Sequence, residues 1–289
     1  MRVITLSNYA DTKLAAAAEV RYSEYDRALV AHQGILQART DRRAGIRSDV
    51  ADAWNRKAFF STLWHVGRYG FSFLSFAPSA PVRRSAGQDE HIWNSGKQGE
   101  EKVKDHIASQ LADDWVHISG YRNNKGEIDQ VLVGPRGVFC VEVKNVNGVV
   151  SCNGDTWWRD KYDRYGNMVE SGISMRDKGG RSPSKQINET ADALQNFLAK
   201  RTGIERVGRA VVLAHDSSRY GDMNGITVDV VARVGDFNLE LFFRSAPTRL
   251  DRPTIDRVVK AIKQDHEFYN KPKQRRSPGQ PNQRVKKAA

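Results

Sequence analysis

Cysteine is scarce in this 289-residue sequence, which contains only Cys140 and Cys152. Two cysteines exclude a disulfide framework as the source of stability, and they are too few for a cysteine-based zinc site. The seven histidines show no metal-ligand spacing beside them. Because free thiols suit a reducing compartment, we expect a cytoplasmic protein whose cysteines are structural.

Long apolar runs are also missing. The most apolar segment, Ala58–Pro78, contains His65 and Arg68. A membrane-spanning helix needs about 20 mostly apolar residues without a central charge. We therefore expect no stable membrane insertion, and the N-terminus shows no secretory signal pattern. No GxxxxGK[ST] loop is present, which excludes an ATPase motor of the P-loop class in this sequence.

Acidic residues are absent from the C-terminal end, although the chain as a whole has a net charge of +12. Residues 91–270 contain 26 basic and 25 acidic residues, whereas residues 271–289 contain seven basic residues and no acidic one. The sequence predicts a disordered basic tail over 271–289. Lys273, Arg275 and Arg276 in this tail are candidates for binding nucleic-acid phosphates without sequence preference.

Composition divides the rest of the chain into two parts. Alanine-rich and aromatic-rich patterns over Ala10–Ala44 and Asp49–Phe76 predict a mainly helical N-terminal region, residues 1–76. Proline, serine and glycine indicate a linker over 77–93. The role of the N-terminal helices stays open between homo-oligomer formation, DNA positioning and target sensing.

Residues 94–270 have the pattern of a mixed α/β domain. Glycines at 96 and 99 precede an amphipathic helix over Glu100–Leu111, and a long loop is predicted over Asp160–Ser182. The other predicted elements are strands at Trp115–Ile118, Glu127–Val133, Val138–Lys144, Gly148–Cys152, Thr156–Arg159, Arg209–Ala214 and Ile226–Val234, and helices at Ser184–Arg201 and Arg252–Tyr269. Gly134-Pro135-Arg136-Gly137 has the composition of a hairpin turn between two of these strands.

Two charged residues interrupt the otherwise hydrophobic strand that ends at Lys144. Glu142 and Lys144 are two residues apart, so both face the same side of a strand. A hairpin can bring Asp129 of the preceding strand beside Glu142, in a register that the sequence alone leaves open. Such charges are costly unless they are paired or bind a metal, and two close carboxylates favour Mg²⁺ or Mn²⁺. Together with the positive charge of Lys144, these groups suffice for phosphodiester hydrolysis.

The Asp129…Glu142-Val143-Lys144 pattern resembles the Asp…Glu-x-Lys signature of the restriction-endonuclease-like PD-(D/E)xK superfamily. The surrounding residues resemble its nuclease-related domain family, NERD, over roughly residues 94–215. Three segments carry this resemblance: Gly96-Lys97-Gln98-Gly99-Glu100, Gly126-Glu127-Ile128-Asp129, and Gly137–Asn145 followed by Gly148.

The resemblance implies a restriction-endonuclease-like core, with a mixed central β-sheet flanked by helices. It implies that Asp129, Glu142 and the backbone carbonyl of Val143 hold the metal, and that Lys144 is the catalytic lysine. Glu100 would be an additional acid facing the site. Gln186, in a Pro-x-x-Gln helix opening, would contact DNA or orient a site residue.

Two function classes follow from these residues. The first is a Mg²⁺-dependent deoxyribonuclease, expected to be an endonuclease, for which defence against foreign DNA or DNA processing is a natural context. The second is a non-catalytic nucleic-acid-binding module that keeps the nuclease-like fold. The complete acid–acid–lysine set favours the enzyme, because a carboxylate pair repels the phosphates that a binding module must hold.

Overall fold

The structure is a computed structural model that describes residues 1–74, 78–163 and 165–271. The chain divides into two compact units. One unit contains Met1–Tyr9 and the chain from Ser95 onward, and the other is Ala10–Asn94. Lys273, Arg275 and Arg276 of the predicted basic tail lie outside the described residues.

The unit Ala10–Asn94 is helical. Helix α1 (Tyr9–Asn55) runs without interruption through the segment where the sequence predicts a break after Ala44. The break occurs at Lys57, which has a φ of 54°, and helix α2 (Phe59–Leu74) follows it. Helix α3 (Gln88–Gln110) then begins inside the predicted linker. Asp89 and Glu90 favour this start, because acidic side chains in the first turn stabilise a helix N-terminus.

No helix within the described ranges combines the length and apolar character that crossing a bilayer requires.

The second unit contains two mixed β-sheets. The larger sheet has six strands in the spatial order β1 (Arg2–Thr5), β2 (Val116–Asn123), β3 (Gly126–Gly134), β4 (Gly137–Lys144), β8 (Gly208–Leu213) and β10 (Val230–Arg233). Strands β2, β3 and β4 are antiparallel neighbours, whereas the β1–β2, β4–β8 and β8–β10 pairs are parallel. The smaller sheet has the order β7 (Met168–Ser174), β6 (Thr156–Tyr162), β5 (Gly148–Asn153) and β9 (Ser218–Asn224).

Helices cover both faces of the larger sheet, as expected for strands with continuous apolar sequences. Helices α4 (Pro183–Thr202) and α6 (Arg252–Asn270) bury apolar residues against one face. Helix α3 and the short helix α5 (Leu239–Arg244) pack on the other face, where Phe139 of β4 contacts Phe242 and Phe243. A 3₁₀ turn at Val234–Asp236 precedes α5. The predicted mixed α/β fold with a flanked central sheet is thereby confirmed.

Several elements differ from the sequence prediction. The structure adds β1, β9 and α5, shortens the predicted strand Ile226–Val234 to β10, and places β7 inside the predicted loop Asp160–Ser182. Strand β7 is exposed along almost its whole length, so it has no apolar alternation that a pattern could reveal. Gly172, with a φ of 64°, lies where the pairing of β7 with β6 shifts register, and the Asp160 carboxylate accepts its N–H at 2.7 Å.

Candidate active site

The β3–β4 hairpin places Asp129 and Glu142 side by side. Gln130 of β3 pairs with Val141 of β4, so Asp129 and Glu142 are the next positions along the ladder. The Val143 N–H donates to Asp129 Oδ2 at 2.7 Å, which fixes this carboxylate against the end of β4. The turn between the strands is the predicted one, residues 134–137. The register of the hairpin thus brings Asp129 and Glu142 to neighbouring positions on adjacent strands.

Lys144 completes the cluster on the same side of the sheet. Its Nζ donates to Glu142 Oε1 at 2.5 Å and to Gln186 Oε1 at 3.2 Å. The Glu142 side chain is 1% exposed, whereas Lys144 is partly accessible from solvent. Gln186 lies in the first turn of α4, so its amide holds the lysine from the helix side. Gln186 therefore contacts a residue of the cluster, and both of its predicted roles, orienting a site residue and contacting DNA, stay predictions.

Helix α4 has a fixed starting point, and this determines where Gln186 lies. The Ser182 hydroxyl accepts the Lys185 N–H as an N-cap, and Pro183 occupies the first turn. Ser184 is fully buried, donates to Asp155 Oδ1 at 2.6 Å and accepts the indole N–H of Trp157 at 3.0 Å. These contacts connect the helix start to the small sheet, and they give Gln186 a defined position beside Lys144.

The three charged groups perturb one another. Burial raises the pKa of Asp129, and repulsion from Glu142 and Glu100 raises it further, against the attraction of Lys144. Burial also raises the pKa of Glu142, although the Lys144 ammonium lowers it in part. Burial would lower the pKa of Lys144, but Glu142 and Asp129 more than compensate, and the net pKa is raised. Lys144 is therefore a cation at neutral pH, and the carboxylates are poorly stabilised as anions.

Glu100 approaches the cluster from α3, on the other face of the sheet. Its charge contributes to the raised pKa of Asp129, so the two acids are electrostatic neighbours. Glu101, the next residue, is instead 3.9 Å from Lys97 in an ion pair along the helix. Adjacent helical residues point about 100° apart, which explains why only one of the two acids is near Asp129.

A buried hydrogen-bonded chain holds the backbone of Glu100. Gln130 Nε2 donates to the Glu100 carbonyl at 2.9 Å, and Gln130 Oε1 is 3.2 Å from Nε2 of His117. Since the Gln130 carbonyl can only accept, His117 must carry its proton on Nε2. The Ser119 hydroxyl, 3.4 Å from Nδ1 of His117, lies at the other end of this series of hydrogen bonds. Sequence reasoning missed Gln130 and His117, because nothing in the local pattern indicates a contact with residue 100.

His117 gives the fold a predictable sensitivity to acid. Burial lowers the pKa of His117 to about 4, although its hydrogen bond to Gln130 opposes this. The unfolded chain, with a histidine pKa near 6.5, binds more protons between these two values. The stability that neutral His117 contributes is therefore complete above about pH 6.5 and is lost as the pH falls to about 4. The difference between the folded and unfolded pKa values of His117 corresponds to roughly 3 kcal/mol in the free energy of unfolding.

We expect His117→Gln, which removes this titration, to lose less stability than the wild type over that window. Urea unfolding of both proteins at several pH values measures the difference. Parallel stability curves would contradict the assignment of this acid sensitivity to His117.

Gly99 determines how closely α3 approaches the end of β4. A Cβ added at Gly99 would be 2.6 Å from Asn145 Cβ and 3.2 Å from Ala214 Cβ. Asn145 follows Lys144, and its side-chain amide donates to the Ser95 carbonyl at 2.7 Å. The predicted entry of the helix through glycines is wrong, because both Gly96 and Gly99 lie inside α3. The glycine at 99 instead provides the close packing that brings Glu100 to the site.

We expect Gly99→Ala to destabilise the protein by about 1–3 kcal/mol, as overpacking does in tight cores. Gly96→Ala is the matched control, because among the described residues no atom beyond its own helix backbone lies within 4 Å of its added Cβ, and alanine favours the helix. Thermal and urea unfolding measure both variants. Equal stability of the two variants would show that the α3–β4 contact is not tight.

The donor set at the hairpin fits a divalent cation. Glu142 Oε2 is buried and accepts no hydrogen bond from the described residues. An unpartnered buried carboxylate oxygen beside a second carboxylate is the arrangement that a hard cation with oxygen ligands satisfies. Within the described ranges, no group of three or more His, Cys, Asp and Glu side chains has metal-binding geometry. Asp129 and Glu142 would therefore need a backbone or water oxygen as a further ligand.

Glu127, on the same face of β3 as Asp129, is held in an ion pair with Arg122 at 2.9 Å.

Comparison with known proteins supports a nuclease-related domain. Residues 95–214 match the family model described as the nuclease-related domain, NERD. The matched region includes Glu100, the β3–β4 hairpin and Gln186, and it confirms the resemblance that the sequence motifs carry. No curated protein and no solved structure gave a significant match to the chain.

Proposed function

From the nuclease-related domain at residues 95–214, we propose that this protein is a metal-dependent nuclease that hydrolyses phosphodiester bonds in DNA. The observation that carries the proposal is the cluster of Asp129, Glu142 and Lys144. Its two carboxylates have raised pKa values, and its lysine is held as a cation. Paired carboxylates destabilise an apoprotein, and such a cost is typical of a functional site.

Asp129, Glu142 and the carbonyl of Val143 would hold Mg²⁺ or Mn²⁺. Such a cation, when bound, stabilises negative charge on the phosphate and lowers the pKa of a bound water. The protein residues contribute position and charge. The Val143 N–H orients the Asp129 carboxylate, and Gln186 orients Lys144. Glu100 adds negative charge on the α3 side of the site.

Lys144 acts as a fixed positive charge in this scheme. Because its pKa is raised, it stays protonated at neutral pH and cannot serve as the general base. Its ammonium group would stabilise the charge that develops on the phosphate as water attacks and the ester P–O bond breaks. In the absence of substrate, this ammonium group neutralises Glu142.

The alternative is a nucleic-acid-binding module without catalysis. It predicts no metal site that depends on the carboxylates. The unpartnered Glu142 Oε2 favours the enzyme, because a binding module gains nothing from a buried acceptor without a donor.

The test is incubation of the purified protein with circular and linear DNA, single- and double-stranded, in Mg²⁺, Mn²⁺ or EDTA. We expect cleavage in both metals and none in EDTA, and nicking of the circles shows endonuclease action. RNA of matched sequence identifies the preferred nucleic acid. Binding without cleavage under all metal conditions would favour the alternative.

A further inference from the structure

A second binding site adjoins the proposed catalytic cluster. A cavity of about 250 Å³ opens beside Lys144 and Gln186. It lies between the end of β4, strands β6 and β7, and the segment that leads into α4. We call it the arginine cleft, because Arg159, Arg176 and Arg181 line it. It belongs entirely to the unit that contains the nuclease-related domain.

The charge of the arginine cleft is only partly neutralised. Arg181 pairs with Asp177 at 2.7 Å, and its guanidinium also donates to the Lys125 carbonyl at 2.9 Å. Arg159 donates to the Asn147 side chain at 3.0 Å. Within the described residues, neither Arg159 nor Arg176 has an ion-pair partner, and Arg176 is exposed. The cleft therefore presents two uncompensated guanidinium groups, the donors best suited to phosphate.

The walls of the arginine cleft are apolar. Val146, Ile173, Met175 and Pro183 form them. A nucleotide combines an anionic phosphate with a base whose faces stack on apolar and guanidinium surfaces. In a duplex those faces are covered by the neighbouring bases. A cleft with apolar walls and an arginine rim is thus complementary to an unpaired nucleotide, whose base faces are free to contact the walls.

Resting on the proposed function, we infer that the arginine cleft holds an unpaired nucleotide of the DNA strand next to the scissile phosphate. Arg176 and Arg159 bind its backbone phosphates, and the apolar walls contact its base. Lys144 and Gln186 line the cleft and belong to the catalytic cluster, so a nucleotide held there places its neighbouring phosphate at the cluster. The substrate is therefore single-stranded DNA or a locally opened duplex.

Fluorescence anisotropy with labelled single-stranded and duplex oligonucleotides in EDTA tests this inference without requiring cleavage. We expect Arg176→Gln to bind the single strand about 3- to 10-fold more weakly at low salt, with a slope of log K against log salt reduced by about 0.7. Lys178→Gln is the matched control, because Lys178 lies in the same segment, is exposed and does not line the cleft. We expect it to bind within about twofold of the wild type, because its ammonium group lies outside the cleft and holds no phosphate there.

A second probe tests the base contact. The wild type should bind an oligonucleotide without bases at least about fivefold more weakly than the normal strand, as the loss of base stacking predicts. Equal losses in Arg176→Gln and Lys178→Gln, equal effects on duplex and single strand, or equal binding of the baseless strand would each overturn the inference. If the wild type binds as predicted but never cleaves, the proposed function is wrong, and the assignment of the arginine cleft as a nucleotide-binding site still holds. If it cleaves but the arginine variant binds normally, only the cleft fails.

Discussion

Replacing Lys144 by methionine should lower metal-dependent DNA cleavage by at least about 100-fold, the loss typical of removing one group that stabilises transition-state charge. The ammonium donates to both Glu142 and Gln186, so its position is fixed before substrate arrives. Methionine keeps the approximate length of the side chain and removes the charge. The initial rate of cleavage with saturating Mg²⁺ or Mn²⁺ measures the effect.

The same substitution should preserve metal binding, because the two carboxylates remain. In the absence of metal, Lys144→Met should melt at a lower temperature than the wild type, since Glu142 keeps a buried charge without its partner. Mn²⁺ should restore much of that loss. Cleavage by Lys144→Met at the wild-type rate would remove the lysine from the mechanism, whatever its effect on stability.

Asp129→Asn should have the opposite effect on stability. Burial and repulsion raise the pKa of Asp129, so ionising it at neutral pH costs folding free energy. An asparagine can still accept the Val143 N–H while it removes the charge. We expect the metal-free variant to be more stable than the wild type at pH 7. Thermal unfolding without metal, followed by titration with Mn²⁺, provides both readouts.

The pH dependence of this difference follows from the direction of the pKa shift. A carboxyl group whose pKa is raised in the folded state destabilises the fold above that pKa. It has no effect on stability below its pKa in the unfolded chain, which is near 3.9. The advantage of Asp129→Asn should therefore disappear in acid. Mn²⁺ should stabilise the wild type and leave Asp129→Asn unchanged. A wild type that is the more stable protein without metal would contradict the charge repulsion on which this prediction rests.

The sequence could predict the hairpin that carries the acids, because its cues are local. Apolar strands flank a Gly-Pro-Arg-Gly turn, and period-two alternation then fixes the shared face of Glu142 and Lys144. The start of α4 could be predicted in a similar way, since a proline in the first turn is typical of a helix N-terminus. Each of these features depends on residues that are close together in the sequence.

The rest of the site depends on contacts that no local pattern contains. Gln130 reaches the carbonyl of Glu100, 30 residues away in sequence, from a position that looks like an ordinary strand residue. Gly99 packs on Asn145, and its role becomes visible only when α3 is placed against β4. The segment predicted as a loop contains β7 and Arg176. The sequence could not reveal this strand, because an exposed strand in a small sheet has no apolar alternation. The roles proposed for Lys273, Arg275 and Arg276 stay predictions.

Glu142→Gln and Glu127→Gln, compared in one cleavage assay, test the central claim most directly. Both variants replace a glutamate of the hairpin by its amide. Glu142 is the buried partner of Lys144, whereas Glu127 is paired with Arg122. With DNA and Mg²⁺ or Mn²⁺, we expect the wild type and Glu127→Gln to cleave at similar rates, and Glu142→Gln to lose at least about 100-fold. Cleavage by Glu142→Gln at the wild-type rate, or cleavage by the wild type that persists in EDTA, would show that the hydrolysis does not take place at this cluster.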